Sequence, residues 1–545
     1  MTALPRAVED DWLGTSEEPP PPEETSGSDN PPPPERPSIQ VLDGRVDLLA
    51  TAAEEAIIAS ELPIFQRGRE LVRPAQFEVP AAKGRMTISA GLTTLTQARM
   101  LDAMSKAADW TKWDGRKKKL VPTDPPALPA SILLSRVGEW NVPTLGGVIT
   151  SPTLRPDGTM LHAPGYDPVT RLYHAVNAGL TPAYVPEQPT MEQATESLKI
   201  LDDLLDEFPF VAPVDRVVAL SGLMTPILRG AIPVAPLHAI KASTAGTGKS
   251  YLVDTASAIA AGRACPVISV STDAKETESR INGLLLGGFP LVSLDNVNGE
   301  LGGDLLSQAL TQPVVQVRRL GGSDIFEVVS RATWFATGNG LRVKGDMTRR
   351  TVICNLDAGV ERPEMRQFHH SPLDDVLAER GRFIAAVLTI ARAYVAAGKP
   401  GRLTPPASYE EWSDLVRSPL VWLGCADPWS TTEAAREDDP ELMTLRIILT
   451  GLAEATDPGD LLPARRIIEL ANAKSVAYDG EPAELLRPDF RATLMEIAGV
   501  KGTLDPLKIS RWLMSREGRI VDGLRIKRGR KDGDTKAARW VVERP

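Results

Sequence analysis

The run Ser243, Thr244, Ala245, Gly246, Thr247, Gly248, Lys249, Ser250 constrains this chain more than any other feature, because it joins an apolar stretch at 236–240 to a segment of apolar periodicity. A loop in that setting links a strand to a helix. Glycines at 246 and 248 let backbone N–H groups turn inward around a polyphosphate, Lys249 brings a positive charge to the outer phosphates, and the Ser250 hydroxyl can ligand Mg²⁺. The pattern departs from G-x-x-x-x-G-K-[ST] at Ser243, where the first glycine is usual.

Strands and helices should alternate around such a loop, and residues 237–337 read that way. Strands are expected at 237–241, 267–271, 290–294 and 333–337, helices at 249–261, 275–286 and 304–310, and a hairpin at 314–330. The class is α/β, with a mainly parallel sheet and ligands at the C-terminal ends of its strands. Ahead of this core, 191–230 reads as a helical lead-in. Residues 39–190 read as a separate N-terminal α+β domain, with a helix over 46–60 and hairpins turning at Asp114-Gly115, Asp157-Gly158 and near Asp167-Pro168. The core runs from 191 to 397, helical after 357, and 398–485 is a linker with further helices. From 486 to 545 the order helix, helix, strand, turn, strand suggests a C-terminal winged helix. Residues 1–38, acidic and rich in proline, cannot bury enough apolar surface to offset their chain entropy and are expected to be disordered.

The strand at 290–294 ends in Asp295 and Asn296, so a carboxylate emerges beside the phosphate loop and can hold Mg²⁺ through water, as a Walker B acid does. A second acid often follows to polarise the attacking water, and here Asn296 occupies that place. The general base is therefore open, with Glu276 and Glu278, at the start of the helix after the second core strand, as further candidates. Asn339, at the end of the strand at 333–337, offers an amide at the level of a γ-phosphate. Downstream, Arg349 and Arg350 supply the guanidinium that an oligomeric ATPase inserts into its neighbour's site.

In order and type these motifs resemble the superfamily 3 helicases of the AAA+ group, particularly the helicase halves of phage and plasmid primase-helicases. The resemblance rests on residues 243–250, 294–296, 337–339, 345–350 and 361–368, spans roughly 40–370, and leaves 486–545 compatible with a terminal winged helix. It implies a P-loop AAA+-type ATPase core that uses ATP and Mg²⁺ and assembles as a hexameric ring around single-stranded or forked DNA. It also implies that the hairpin ahead of 333–337 carries DNA contacts, here Arg318 and Arg319. The function expected is an ATP-dependent DNA helicase or translocase of phage or mobile-element replication. A DNA-remodelling ATPase or helicase loader, and a nucleotide-binding scaffold without catalysis, remain as alternatives, the last motivated by Asn296.

The net charge of −10 argues against a nucleic-acid partner until its distribution is considered. Residues 1–40 carry net −7 and residues 501–545 net +7, so a basic terminal unit is joined to an acidic body. There Lys508 and Arg511 lie three apart on one expected helix face, and Arg525, Lys527, Arg528, Arg530 and Lys531 lie on the wing, a density suited to phosphate contact. Arg116, Lys117, Lys118 and Lys119 beside Trp110 and Trp113 form a lesser basic cluster, read as a solvated hairpin edge. The three cysteines, far apart, support neither disulfides nor a zinc ribbon. With no apolar run of about 18 residues and no signal-peptide pattern, a cytoplasmic protein without membrane contact is expected. No primase is visible, so a separate primase or polymerase would be a partner.

Overall fold

The computed structural model describes residues 36–80, 86–176, 180, 184–269, 273–318, 325–475, 484–529 and 538–545. The arm expected over 1–38 falls almost wholly outside them, as do Arg319, Arg530 and Lys531.

At the centre lies a five-stranded sheet, all parallel: β1 (Leu237–Ala242), β2 (Val267–Ser269), β3 (Leu291–Asp295), β4 (Thr333–Asn339) and β5 (Thr351–Leu356), in the spatial order β2-β3-β4-β1-β5. Insertion of β4 between β1 and β3 is what builds the site. It sets Asn339 opposite Ala242, the residue before the phosphate loop, and Ala336 opposite Leu294, the residue before Asp295. Helix α1 (Pro213–Leu228) packs beneath the sheet and is buried nearly throughout, as expected of a helix apolar on every side. Helix α2 (Lys249–Ala261) begins at Lys249 as the sequence predicts, α3 (Ala274–Gly287) follows β2, and α4 (Asp304–Thr311) precedes the antiparallel hairpin Val314–Arg318 with Ile325–Val329. Helix α5 (Pro372–Ala396) starts later than the sequence suggests, leaving 357–371 as loop and one short turn.

Strand β5 has no counterpart in the sequence reading. Its residues Thr351, Val352, Ile353 and Cys354 are all buried and lack the alternation that marks a half-buried strand, so periodicity alone does not separate such a run from a helix.

Upstream, helices Val46–Ala59, Gln97–Ala107 and Ala127–Ser135 share a core with the hairpin Asp109–Asp114 and Lys119–Pro122, through Leu49, Met100, Trp110 and Leu133. Three buried guanidinium groups, none with a carboxylate partner among the described residues, join this part of the chain to the sheet domain or brace that domain internally. Arg67 donates to the carbonyls of Gly146 (2.8 Å), Leu285 (2.9 Å) and Val329 (3.1 Å). Arg380 donates to those of Ile259 (2.8 Å) and Ala260 (2.6 Å) and lies near Thr150. Arg229 donates to Ile232 (2.8 Å) and Arg331 (3.0 Å). Arg380 therefore takes carbonyls left open at the end of α2, and Arg67 adds a donor to the last turn of α3, where a cation also meets the negative pole of the helix. Burial draws the pKa of Arg67 and Arg380 down to about 10 and that of Arg229 to about 9, which still leaves all three charged at neutral pH.

The C-terminal unit contains the expected helices, Pro488–Ala498 and Pro506–Met514, and strands Leu524–Arg528 and Arg539–Glu543. Its core takes Leu445 and Leu449 from helix Pro440–Ala453 together with Leu494, Ile509 and Trp540, so residues well before 486 pack into the same body.

Candidate nucleotide site

The loop between β1 and α2 turns on two glycines in the left-handed region, Gly246 (φ 75°) and Gly248 (φ 96°), the latter also the N-cap of α2. Side chains are strained in that conformation and would in addition meet neighbours: a Cβ on Gly246 would stand 3.0 Å from the backbone nitrogen of Glu364, and one on Gly248 3.3 Å from the Phe208 ring. The Lys249 ammonium folds back over the loop, donating to the Thr244 carbonyl (3.0 Å) and the Thr247 hydroxyl (3.2 Å). Burial lowers its pKa from the ordinary lysine value, opposed by the charge of Asp295. Polyphosphate oxygens can take over those two bonds without the amine moving far. Ser243, in place of the usual glycine, stands at the bend directly after β1.

Across the mouth of the sheet the Ser250 hydroxyl donates to Asp295 Oδ1 at 3.1 Å, and the Thr337 hydroxyl donates to the same oxygen. Thr337 also accepts from the backbone N–H of Asn296 (3.4 Å), and its carbonyl accepts from Val297 (2.8 Å). Sequence reading includes this threonine in the 337–339 motif but gives it no role. The signal that would have found it is its place two residues before Asn339 on a strand that alternates toward the site. Gly338 is required beside it, because a Cβ there would collide with the Val297 carbonyl.

No cluster of three or more histidine, cysteine or acidic groups suited to a metal exists among the described residues. Mg²⁺ does not need one. It binds through one or two protein oxygens, with water and phosphate completing the shell. Ser250 and Asp295 supply that pair, and the orphaned buried Oδ1 of Asn339 is a further polar atom waiting at the strand end. The donor set therefore fits a Mg²⁺-bound polyphosphate.

Asn296 sits in the left-handed region (φ 54°) and its amide oxygen accepts from Asn298 (3.4 Å). Glu278 is exposed on α3, and Glu276 pairs with Arg280 (2.6 Å); among the described residues no hydrogen bond or ion pair joins either to Lys249, Ser250 or Asp295. The two arginines separate sharply. Arg350 is 14% exposed and donates to the Ser307 carbonyl (2.7 Å), while Arg349 is 69% exposed, and both pair with Asp346.

Beside the loop opens a cavity of about 680 Å³, walled by Phe208, Tyr251, Pro363 and Phe368 and by polar groups from 364–371. Phe208 and Tyr251 stack with centroids 6.2 Å apart.

Of the expected DNA contacts, Arg318 is exposed at the end of its hairpin strand, with its backbone N–H on Asn282 (3.2 Å). Lys508 and Arg511 are exposed on helix Pro506–Met514. Arg525 and Lys527 both pair with Glu543 (2.6 and 2.8 Å), and Arg528 lies over the Trp540 ring. In the lesser cluster Trp110 is buried and donates to the Met104 carbonyl (3.0 Å), whereas Trp113 is exposed next to the basic turn.

No family model matches the chain, and no curated protein matches it. Among solved structures, the A form of the apo C-terminal region of NrS-1 is 12% identical with a TM-score of 0.34, covering 90% of this chain and 99% of that one. A JCV helicase bound to a thiazolopyridinyl phenoxyphenyl acetamide is 12% identical with a TM-score of 0.19, covering 46% of this chain and 74% of that one. No helix among the described residues is long and apolar enough to cross a membrane.

Proposed function

We propose that this chain hydrolyses ATP at the loop between β1 and α2 and uses the energy to move along or unwind DNA as a ring-forming helicase or translocase. The observation that carries the reading is the Ser250–Asp295 pair at 3.1 Å beneath a loop whose two glycines are left-handed. The loop N–H groups and Lys249 hold the phosphates, Ser250 and Asp295 hold Mg²⁺, and Thr337 and Asn339 orient groups at the γ-phosphate end. Mg²⁺, when bound, neutralises charge on the phosphates. The cavity lined by Phe208 and Tyr251 receives the nucleoside.

Arg349 is the group for a neighbouring copy's nucleotide, since Arg350 is committed within its own chain. Arg318, with Arg319 beyond the described residues, serves the DNA path through a hexameric ring, and a winged-helix-like unit presenting Lys508 and Arg511 serves a second DNA contact. A phage or mobile-element replication role, with a separate primase or polymerase as partner, fits this set.

Asn296 in place of a second carboxylate favours one competing reading, a loader or scaffold that binds nucleotide and turns it over slowly. Phosphate release in the presence of single-stranded DNA, absent in Lys249→Ala, is the expected result, followed by strand displacement on a forked duplex that Arg318→Ala abolishes. Hydrolysis without strand separation supports the loader; a chain that stays monomeric with ATP and DNA both present overturns the motor.

A further inference from the structure

The segment 361–371 lies against the phosphate loop, and the nucleotide chemistry above gives it no task. Glu364 approaches Gly246 from outside, and the residues after it form the outer wall of the 680 Å³ cavity. Little in the segment is regular structure, and Met365 and Phe368 are exposed, so it has no core of its own to fix it. What fixes it is one carboxylate on the opposite wall. Glu207 accepts from the backbone N–H of His369 (3.0 Å), from the His369 ring Nδ1 (2.9 Å) and, more distantly, from the N–H of His370 (3.4 Å). The Glu207 carbonyl accepts from Arg366 (2.8 Å), whose guanidinium covers the Phe368 ring. The same residue thus holds the wall at three places along the chain.

At its far end the wall is tied to the phosphate helix, since Tyr251 shares a hydrogen bond with Ser371 (2.9 Å) and accepts from the N–H of Leu373 (3.2 Å). Tyr251 directly follows the Mg²⁺-ligating Ser250, and Phe208, which stacks on it, directly follows Glu207. The nucleoside cavity is therefore framed by two aromatic rings next to the two anchoring points, and the Glu207 anchor gathers several bonds on one carboxylate that a single substitution removes. Its hydrogen bonds to His369 hold the Glu207 carboxyl at about 2, well below the usual range, so it is an ionised acceptor at neutral pH.

We propose that Glu207 is a positioning residue for the nucleoside end of the bound nucleotide: by clasping 366–370 it keeps the cavity closed around base and ribose, without touching the phosphates. The inference rests on the reading of the loop as a nucleotide site, and the test separates the two. Fluorescent N-methylanthraniloyl-ATP and inorganic triphosphate are titrated against the full chain and against Glu207→Ala, Glu207→Gln, His369→Ala and Lys249→Ala. Loss of the clasp should weaken the ATP analogue about tenfold, mostly through faster dissociation, in Glu207→Ala and to a smaller extent in His369→Ala. Glu207→Gln, which keeps an acceptor but loses the charge, should fall between wild type and Glu207→Ala. Inorganic triphosphate, which needs only the loop, should bind all three variants as it binds wild type. Equal loss of both ligands in the clasp variants, or unchanged affinity for the ATP analogue in Glu207→Ala and His369→Ala alike, overturns the assignment. If Lys249→Ala binds both ligands normally, the nucleotide reading falls and this one with it.

Discussion

Ser250 and Asp295, 45 positions apart in sequence, meet at 3.1 Å because β4 holds β3 at a fixed height beside β1. Thr337 on that middle strand donates to the same Asp295 oxygen, so the carboxylate is aimed by one neighbour and shared with the other. Removal of the aiming hydroxyl in Thr337→Val should leave the fold and phosphate binding in place while weakening the Mg²⁺-dependent part of ATP affinity about tenfold, the worth of one hydrogen bond to a charged group. Titration of ATP with and without Mg²⁺ reads the difference. Equal weakening in both conditions refutes the aiming role.

Arg349 and Arg350 are adjacent yet should fail differently. Arg350→Ala strips the Ser307 carbonyl of a partner and removes a mostly buried guanidinium that pairs with the half-exposed Asp346, which should lower thermal stability by about 1–3 kcal/mol. Arg349→Ala should leave the melting temperature within error, because its pair with Asp346 is largely exposed, and should abolish ATP hydrolysis only in the assembled state. Mixing Arg349→Ala with Lys249→Ala chains should restore part of the activity, since each supplies what the other lacks.

His238, fully buried on β1, accepts or donates to the Ser221 hydroxyl at 3.0 Å, and burial pushes its pKa from 6.5 to about 3. The folded group therefore binds fewer protons than the unfolded one at mildly acid pH. Its contribution to stability is full above pH 6.5 and is lost progressively as pH falls toward about 3. Denaturant unfolding of wild type should show that decline, and His238→Gln, which does not titrate, should show a shallower one. Parallel pH profiles would remove His238 from the account.

The basic residues of the C-terminal unit should not contribute equally to DNA affinity. Arg525 and Lys527 share Glu543, which already neutralises part of their charge, whereas Lys508 and Arg511 face solvent. Replacing Lys508 and Arg511 by alanine should reduce the slope of log K against log salt by about 2, and replacing Arg525 and Lys527 by less. Fluorescence anisotropy with labelled DNA over a salt series measures both, and equal slopes for the two pairs would contradict the difference in pairing.

Local chemistry was legible wherever one short stretch carries it. The phosphate loop, the start of α2 at Lys249, the strand ending at Asp295 and the terminal helices all follow from glycine placement and apolar periodicity, which are properties of neighbours in sequence. Partners far apart in the chain were not. Glu207 and the buried Arg67, Arg229 and Arg380 gave no local signal, since a lone acid or arginine reads alike whether it faces water or a partner from elsewhere in the chain, and the 337–339 motif gave no hint that Thr337 bonds Asp295.

By itself the sequence determined that a glycine-rich turn joins strand to helix in an alternating α/β core, because strand, turn and helix preferences are set by residues a few positions apart. Only the tertiary structure decided which of two arginines faces outward, that Thr337 shares Asp295 with Ser250, and that Glu207 holds 366–370. Those outcomes depend on strand order and on desolvation, which arise once segments dozens or hundreds of residues apart are brought into contact.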